Sequence, residues 1–213
     1  MSDISVPETV FVVDDEPKVI DSLAFLLRTF GWRVETFLSA SDFLSQVSPD
    51  RAGCVLLDYQ MPGMTGLDLQ TRMAELGYRL PIVFLTGHAD VEKAVQAMKH
   101  GALDFIEKPY KEATLSVKVE TALAKDRTIR EDLARIAEVR RRIARLTARE
   151  REVFALVVQG LANREVAENL DVSARTVEIH RARVMRKMEA ENFADLVRMA
   201  MMVEDAVEPV GQM

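Results

Sequence analysis

The sequence predicts an α/β sandwich built on a five-stranded parallel sheet, followed by an all-α domain. Three observations lead to this prediction. Apolar runs of strand length alternate with helical patterns in the first part of the chain, polar residues follow those runs, and short capped helices fill the last third. At 213 residues the chain can hold two modest domains. We assign residues 1–125 to the first domain, 126–142 to a helical linker, 143–205 to the second domain and 206–213 to a flexible tail.

The predicted strands are near-continuous apolar runs, which is typical of a parallel sheet covered on both faces. They are Thr9–Val13, Trp32–Phe37, Cys54–Leu57, Ile82–Leu85 and Leu103–Ile106. Helical patterns separate them, including Gly66–Leu76 and Val91–Lys99, and a long helix follows the last strand from about Lys111. Five such cycles indicate a flavodoxin-like fold with strand order 2-1-3-4-5.

Polar residues follow four of these strands at their carboxyl ends. Asp14 and Asp15 follow the first, Asp58 the third, Thr86 the fourth and Lys108 the fifth. Open α/β sheets bind ligands at this edge, and the first and third strands are neighbours in the predicted order. We therefore expect the three carboxylates to converge, with the threonine and the lysine beside them.

This set of side chains suits an acyl-phosphate site. Carboxylates a few ångströms apart repel one another, by about 4 kcal/mol per pair at 4 Å, unless they bind a cation or change pKa. Oxygen ligands with open positions favour Mg²⁺, and an ammonium and a hydroxyl suit phosphate oxygens. A single aspartate at a strand end is more often a helix cap or a loop residue, but five matching groups together favour the site.

The long helix continues an apolar pattern of alternating four- and three-residue spacings beyond the first domain. Its apolar members are Leu115, Val119, Ala122, Ile129, Leu133, Ile136 and Ile143, and Asp126 and Arg140 interrupt it. The first turns must cover the sheet as an ordinary amphipathic helix. Beyond about Lys125, a helical linker with a short coiled-coil seam remains an equal alternative.

The second domain shows the spacing of a helix-turn-helix. Thr147 and Glu150 form a capping box, and the helix they open buries Val153, Phe154 and Val157. Asn163 is expected to cap a short helix, and Ser173 a longer one that ends near Met188.

The two faces of that longer helix differ. Val177, Val184 and Met188 form a buried stripe, and His180 and Arg181 flank it as structural residues. The opposite face has no acidic residue at its centre and suits phosphates, guanine edges and thymine methyl groups. The predicted DNA-binding residues are Arg175, Thr176, Glu178, Ile179, Ala182, Arg183 and Arg186.

The two predicted domains differ in net charge. Residues 1–125 hold 12 basic and 18 acidic residues, which accounts for the whole net charge of −6, whereas the remainder is balanced. Residues 173–188 alone hold five basic residues and one acidic residue. The single Cys54 in an apolar run, together with no signal peptide or membrane-spanning run, leads us to expect a cytoplasmic protein without membrane association.

The first domain resembles response-regulator receiver domains over about residues 8–125. The segments that carry the resemblance are Val12–Glu16, Leu57–Gly66, Leu85–Gly87 and Glu107–Pro109. It implies that Asp58 takes a phosphoryl group from a sensor histidine kinase, and that Asp15, Asp58 and the Gln60 carbonyl bind Mg²⁺, with Asp14 acting through water. It also implies that Lys108 pairs with the phosphoryl group, that Thr86 and Phe105 act as switch residues, and that Lys108-Pro109 is a cis peptide.

The second domain resembles the LuxR-type four-helix DNA-binding domain over residues 143–205, through Leu146–Glu150 and Thr176–His180. Glu178 departs from the lysine that is frequent in that family and fits its FixJ-like branch. The broadly apolar helix Phe193–Val203 implies a dimer surface with Leu196, Val197 and Ala200. Together the resemblances imply a transcription regulator that binds promoter DNA as a phosphorylated homodimer and contacts RNA polymerase, as activator or repressor, under oxygen or redox control.

Two other classes of function fit the sequence less well. A phosphotransferase using an aspartyl-phosphate needs a second carboxylate two residues after its nucleophile, and that position is Gln60. We therefore expect no catalysis beyond phosphorylation and dephosphorylation of the chain itself. A receiver that acts only as a phosphate relay does not need the arginine-rich helix.

Overall fold

The computed structural model describes residues 7–87 and 91–205, and its contacts divide the chain between Arg130 and Glu131. This division falls inside the segment 126–142 that we assigned to a linker. The predicted tail 206–213 lies outside the described residues. Within the described ranges, no helix has both the length and the apolar character needed to cross a membrane.

The first unit contains a sheet of five parallel strands. They are β1 (Thr9–Val13), β2 (Arg33–Phe37), β3 (Gly53–Asp58), β4 (Ile82–Thr86) and β5 (Asp104–Glu107). Their order is β2-β1-β3-β4-β5, so β1 and β3 are hydrogen-bonded neighbours. The flavodoxin-like prediction is confirmed.

The helices of the first unit cover both faces of the sheet. They are α1 (Pro17–Thr29), α2 (Ala40–Gln46), α3 (Gly66–Glu75), α4 (Val91–Lys99) and α5 (Glu112–Ala144), which continues past the unit boundary. Alternate side chains of β1 enter separate cores, with Val10 and Val12 on one face and Phe11 and Val13 on the other. Cys54 is fully buried on β3, and burial raises the pKa of its thiol.

A buried carboxylate attaches α5 to the start of β3. One Asp126 oxygen accepts hydrogen bonds from the Gly53 N–H at 2.9 Å and from the Arg130 Nε at 2.7 Å. Glu8, just before β1, pairs with Arg127 at 2.9 Å and with Arg130 at 3.0 Å. The aspartate that interrupts the apolar pattern of the sequence is therefore part of the first unit's own structure.

The second unit holds α6 (Ala148–Val158), α7 (Asn163–Leu170), α8 (Ala174–Met188) and α9 (Phe193–Asp205). The Thr147 capping box and the Ser173 cap are both present. The predicted cap at Asn163 is wrong, because α7 has Ala162 at its N-cap position and the Ala162 N–H donates to the Glu165 carboxylate at 2.7 Å.

The core of the second unit contains the predicted buried stripe of α8, with Val177, Val184 and Met188. It also contains Leu196 and Ala200 of α9, which are 0% and 7% exposed. These two side chains face their own unit, so their prediction as dimer contacts is wrong. The mistake arose because an apolar pattern shows that a side chain is buried without showing against what.

The apolar pattern along α5 separates into parts. Leu115, Val119 and Ala122 are buried in the first unit's core, as the sheet-covering interpretation requires. Ile129, Leu133, Ile136 and Ile143 are half-buried. The coiled-coil seam stays a prediction.

Candidate functional sites: an acidic cluster and a DNA-facing helix

The carboxyl edge of the sheet brings three predicted site residues into contact. Asp14 follows β1, Asp58 ends β3 and Lys108 follows β5. The Lys108 Nζ lies 2.8 Å from Asp14 Oδ2 and 2.6 Å from Asp58 Oδ1. Asp14 is 1% exposed and Asp58 9%, so one ammonium group serves two buried carboxylates.

Backbone amides hold the second oxygen of each carboxylate. Asp58 Oδ2 accepts the Gln60 N–H at 2.7 Å, and Asp14 Oδ1 accepts the Glu16 N–H at 2.9 Å. Both bonds come from the loop that follows the strand, two residues along the chain. These bonds fix the direction in which each carboxylate points.

The contacts within this cluster shift the pKa of both Asp58 and Lys108. Burial raises the pKa of Asp58, Lys108 opposes this by hydrogen bonding and by its charge, and Asp14 adds to the rise. Burial by itself would lower the pKa of Lys108, but its bonds to Asp14 and Asp58 raise it overall. The lysine therefore stays protonated, and the Asp58 oxygens are more basic than those of an ordinary aspartate.

The convergence of all three carboxylates is not found. Asp14 and Asp58 meet through Lys108, whereas Asp15 is half-exposed. Over residues 7–87 and 91–205, no three His, Cys, Asp or Glu side chains are close enough to hold a metal ion together. The donor types at the carboxyl edge of the sheet fit Mg²⁺, because this ion prefers oxygen ligands and its charge would offset that of the carboxylates.

The predicted switch residues lie on neighbouring strands. Thr86 is 6% exposed at the end of β4, and its hydroxyl donates to the Gly87 carbonyl at 3.2 Å. Phe105 on β5 is 40% exposed, with its ring centroid 6.0 Å from the Lys118 Nζ. The Lys108-Pro109 peptide is cis, as the family resemblance implies.

The predicted DNA face of α8 is open to solvent. Its exposed members are Arg175, Glu178, Ile179, Ala182, Arg183 and Arg186. Thr176 is half-buried, and its hydroxyl lies 2.8 Å from the Ser173 Oγ at the helix start. Arg175 pairs with Glu178 at 3.4 Å, so the acid at the rim of this face reduces the local positive charge.

Two contacts that hold α8 in place were not found from the sequence. Lys187 Nζ lies 2.6 Å from Glu150 Oε2, the carboxylate of the α6 capping box. This lysine and the Thr147 N–H lower the pKa of Glu150 to about 2. Arg181, predicted to be structural, donates to Asn163 Oδ1 at 3.0 Å. Neither partner is close in sequence, so no local spacing indicates them.

Both units match known protein families. Residues 10–120 match the family profile of the response regulator receiver domain. Residues 144–200 match that of bacterial regulatory proteins of the luxR family.

Relatives and solved structures agree with these matches along most of the chain. Response regulator protein TmoT of Ectopseudomonas mendocina is 40% identical over 93% of this chain and 90% of its own length. Transcriptional regulatory protein FixJ of Azorhizobium caulinodans is 44% identical over 91% and 92%. The structure of response regulator StyR has a TM-score of 0.79 at 38% identity, covering 92% of this chain and 98% of that one.

Proposed function

Because the chain belongs to the two-component response regulators with a LuxR-type DNA-binding domain, we propose that phosphorylation of Asp58 controls its binding to promoter DNA. The phosphoryl donor is a sensor histidine kinase. The observation that most strongly supports Asp58 as the phosphorylated residue is its contact with Lys108, which also neutralises Asp14. This arrangement presents a basic carboxylate oxygen beside a fixed positive charge.

In the proposed reaction an Asp58 oxygen attacks phosphorus while the bond from phosphorus to the donor nitrogen or oxygen breaks. Lys108 neutralises the phosphoryl oxygens, and the Thr86 hydroxyl donates to one of them after leaving Gly87. Asp15, Asp58 and the Gln60 carbonyl would hold Mg²⁺, with Asp14 acting through water. The bound ion would supply charge neutralisation at the phosphoryl oxygens.

Intact-protein mass spectrometry tests this assignment. Incubation with a small acyl phosphate and Mg²⁺ should add one phosphoryl mass to the wild type, and EDTA should prevent the addition. Asp58→Asn should remain unmodified, whereas Asp50→Asn, at an exposed aspartate, should react like the wild type. Modification of Asp58→Asn at the wild-type rate would contradict the assignment.

The DNA part of the proposal places α8 in the major groove of each half-site of an imperfect inverted repeat. Arg175, Arg183 and Arg186 contact phosphates or guanines, and Thr176, Glu178, Ile179 and Ala182 lie against bases or the groove wall. Support comes from the exposure of Ile179 (44%) at the centre of a face bordered by arginines.

Binding-site selection and salt titration separate these roles. Arg186→Gln should weaken binding to all sequences and lower the salt slope by about one unit if it contacts phosphate. Ile179→Ala should instead relax the preference at one base pair, by about 1–3 kcal/mol. Arg198→Gln, at an exposed arginine of α9, serves as a control for lost charge. An unchanged consensus with Ile179→Ala and with Glu178→Lys would mean that α8 does not recognise bases.

Assembly and location complete the proposal. The phosphorylated chain forms a homodimer, with Val197 of α9, which is half-buried, remaining a candidate contact. The dimer regulates transcription through RNA polymerase, as activator or repressor, and acts in the cytoplasm, as is typical of such proteins. The FixJ-like resemblance of the second domain implies control by oxygen or redox state, and a promoter reporter measured in air and at low oxygen would test it.

Catalysis by the chain is limited to its own phosphorylation and dephosphorylation. Gln60 occupies the position where an aspartyl-phosphate enzyme acting on a foreign substrate needs a second carboxylate. The assay is phosphate release from a panel of phosphomonoesters. Repeated release of phosphate by Asp58→Asn, in which the cycle of self-phosphorylation and dephosphorylation is removed, would contradict the proposal.

A further inference from the structure

Arg181 is a cation on the wrong side of α8 for contact with DNA. On a helical wheel it lies within about 60° of each member of the buried stripe Val177, Val184 and Met188. It lies about 160° from Ile179, the centre of the exposed face. Since Arg181 is also partly buried, any effect it has on DNA binding must pass through other residues.

The guanidinium of Arg181 connects the starts of two other helices. Its Nη1 donates to Asn163 Oδ1 at 3.0 Å, and Asn163 is the first residue of α7. Its Cζ lies 5.2 Å from the ring centroid of Phe193, the first residue of α9. One planar group thus contacts α7 and α9 from the middle of α8.

Both contacts are with uncharged groups, and a cation at a helix N-terminus opposes the helix dipole. A location selected for charge pairing would offer a carboxylate instead. This location instead favours a directional contact, because a planar guanidinium donates to the amide oxygen in a fixed geometry while its charge lies over an aromatic ring. Lysine offers a point charge without the planar fork, and methionine has no donor for the amide oxygen.

We infer that Arg181 is a positioning residue for DNA recognition, which sets the angle of α7 against α8 through Asn163. The inference rests on the proposed role of α8. In a helix-turn-helix the first helix crosses the DNA backbone while the second enters the groove. Loss of the Arg181–Asn163 bond should let α7 tilt, so that α8 no longer presents its side chains to the correct base pairs.

The test compares two duplexes, one selected by the phosphorylated wild type from a random library and one of scrambled sequence. Arg181→Gln should lower affinity for the selected duplex about tenfold while affinity for the scrambled duplex stays within about twofold. A purely structural loss of folded protein would lower both equally. Arg181→Lys should fail to restore the wild-type ratio, because it keeps the charge without the planar fork.

Variants at Asn163 keep the test decisive even if Arg181→Gln does not fold. Asn163→Ala should reduce the ratio of selected to scrambled affinity to a similar extent, whereas Asn163→Asp, which keeps the acceptor, should retain it. The double variant should be no worse than the poorer single variant, as expected for two residues acting through one bond. Additive losses, full activity of Arg181→Lys, or equal effects of Asn163→Ala and Asn163→Asp would overturn the inference.

Ile179→Ala and Arg186→Gln are measured in the same assay. If they change neither affinity nor preference, the assignment of α8 as the recognition helix fails first. If they act as expected while the Arg181 and Asn163 variants do not, only the inference about Arg181 fails.

Discussion

Replacing Asp126 should separate the two interactions that its carboxylate makes. In Asp126→Ala the Gly53 N–H is left buried without an acceptor, which costs about 1–3 kcal/mol. Loss of the Arg130 pair adds no more than about 1 kcal/mol, because Arg130 is one-third exposed and keeps Glu8 as a partner. We therefore expect the free energy of unfolding of the first unit to fall by about 1–4 kcal/mol. Asp126→Asn keeps an acceptor for Gly53 and should stay within about 1 kcal/mol of the wild type.

Urea unfolding followed by tryptophan fluorescence measures this directly. Trp32 is the only tryptophan in the sequence, and it packs against the same core as α5, so its signal reports on the first unit. Glu120→Gln is the matched control, since Glu120 lies on the same helix in an exposed pair with Arg127. This control should change stability by less than about 0.5 kcal/mol. Equal losses in Asp126→Ala and Asp126→Asn would refute the role of the Gly53 bond.

The pH dependence gives an independent check on Asp126. Burial raises its pKa, opposed by the Arg130 and Gly53 hydrogen bonds and by the Arg130 charge, while Glu8 adds to the rise. A carboxyl group whose pKa is raised by folding destabilises the folded state above that pKa, and this cost disappears as pH falls through it. The free energy of unfolding of Asp126→Asn, relative to that of the wild type, should therefore be highest at neutral pH and should fall as pH approaches 4.

Three further outcomes are expected. Gly53→Ala should prevent folding of the first unit in the same fluorescence assay, because its Cβ would lie 1.8 Å from the Thr9 carbonyl oxygen at a φ of +142°; native-like fluorescence would contradict this. Glu150→Gln should lower the free energy of unfolding of the second unit by about 1 kcal/mol, because it weakens the pair with Lys187. Thermal unfolding followed by circular dichroism measures this. Since the pKa of Glu150 is lowered to about 2, the wild type should lose this advantage as pH falls from 4.5 towards 2, and a constant difference would exclude the cause. Light scattering should show that the mass of the wild type doubles on phosphorylation, whereas the mass of Asp58→Asn should not change. A monomeric phosphoprotein would refute dimerisation.

The parts of the fold that follow from local pattern were predictable. Each strand is located to within a residue at either end, because an apolar run in a parallel sheet is bounded by the polar loop that ends it. The contact of Asp14, Asp58 and Lys108 follows from strand order, which places their strand ends along one edge. Capping boxes are equally local, so Thr147 and Ser173 were found from a spacing of three residues.

Contacts between residues that are far apart along the chain could not be predicted from the sequence. Asp126 interrupts an apolar pattern, and nothing near it indicates that its acceptor role serves Gly53, 73 residues away. Leu196 is apolar whether it meets its own unit or a second chain. Asn163 suits a helix cap by composition, but it lies one position inside α7, where its side-chain oxygen accepts a hydrogen bond from Arg181.

The burial of Cys54 makes this chain convenient for site-specific labelling. It is the only cysteine, it is fully buried on β3, and a thiol whose pKa is raised by burial reacts slowly with maleimides and iodoacetamides. A cysteine introduced at an exposed position would thus be the single reactive thiol without any prior substitution in the core. Pairs of spin labels or fluorophores could then follow the two units in solution, before and after phosphorylation, in an otherwise native sequence.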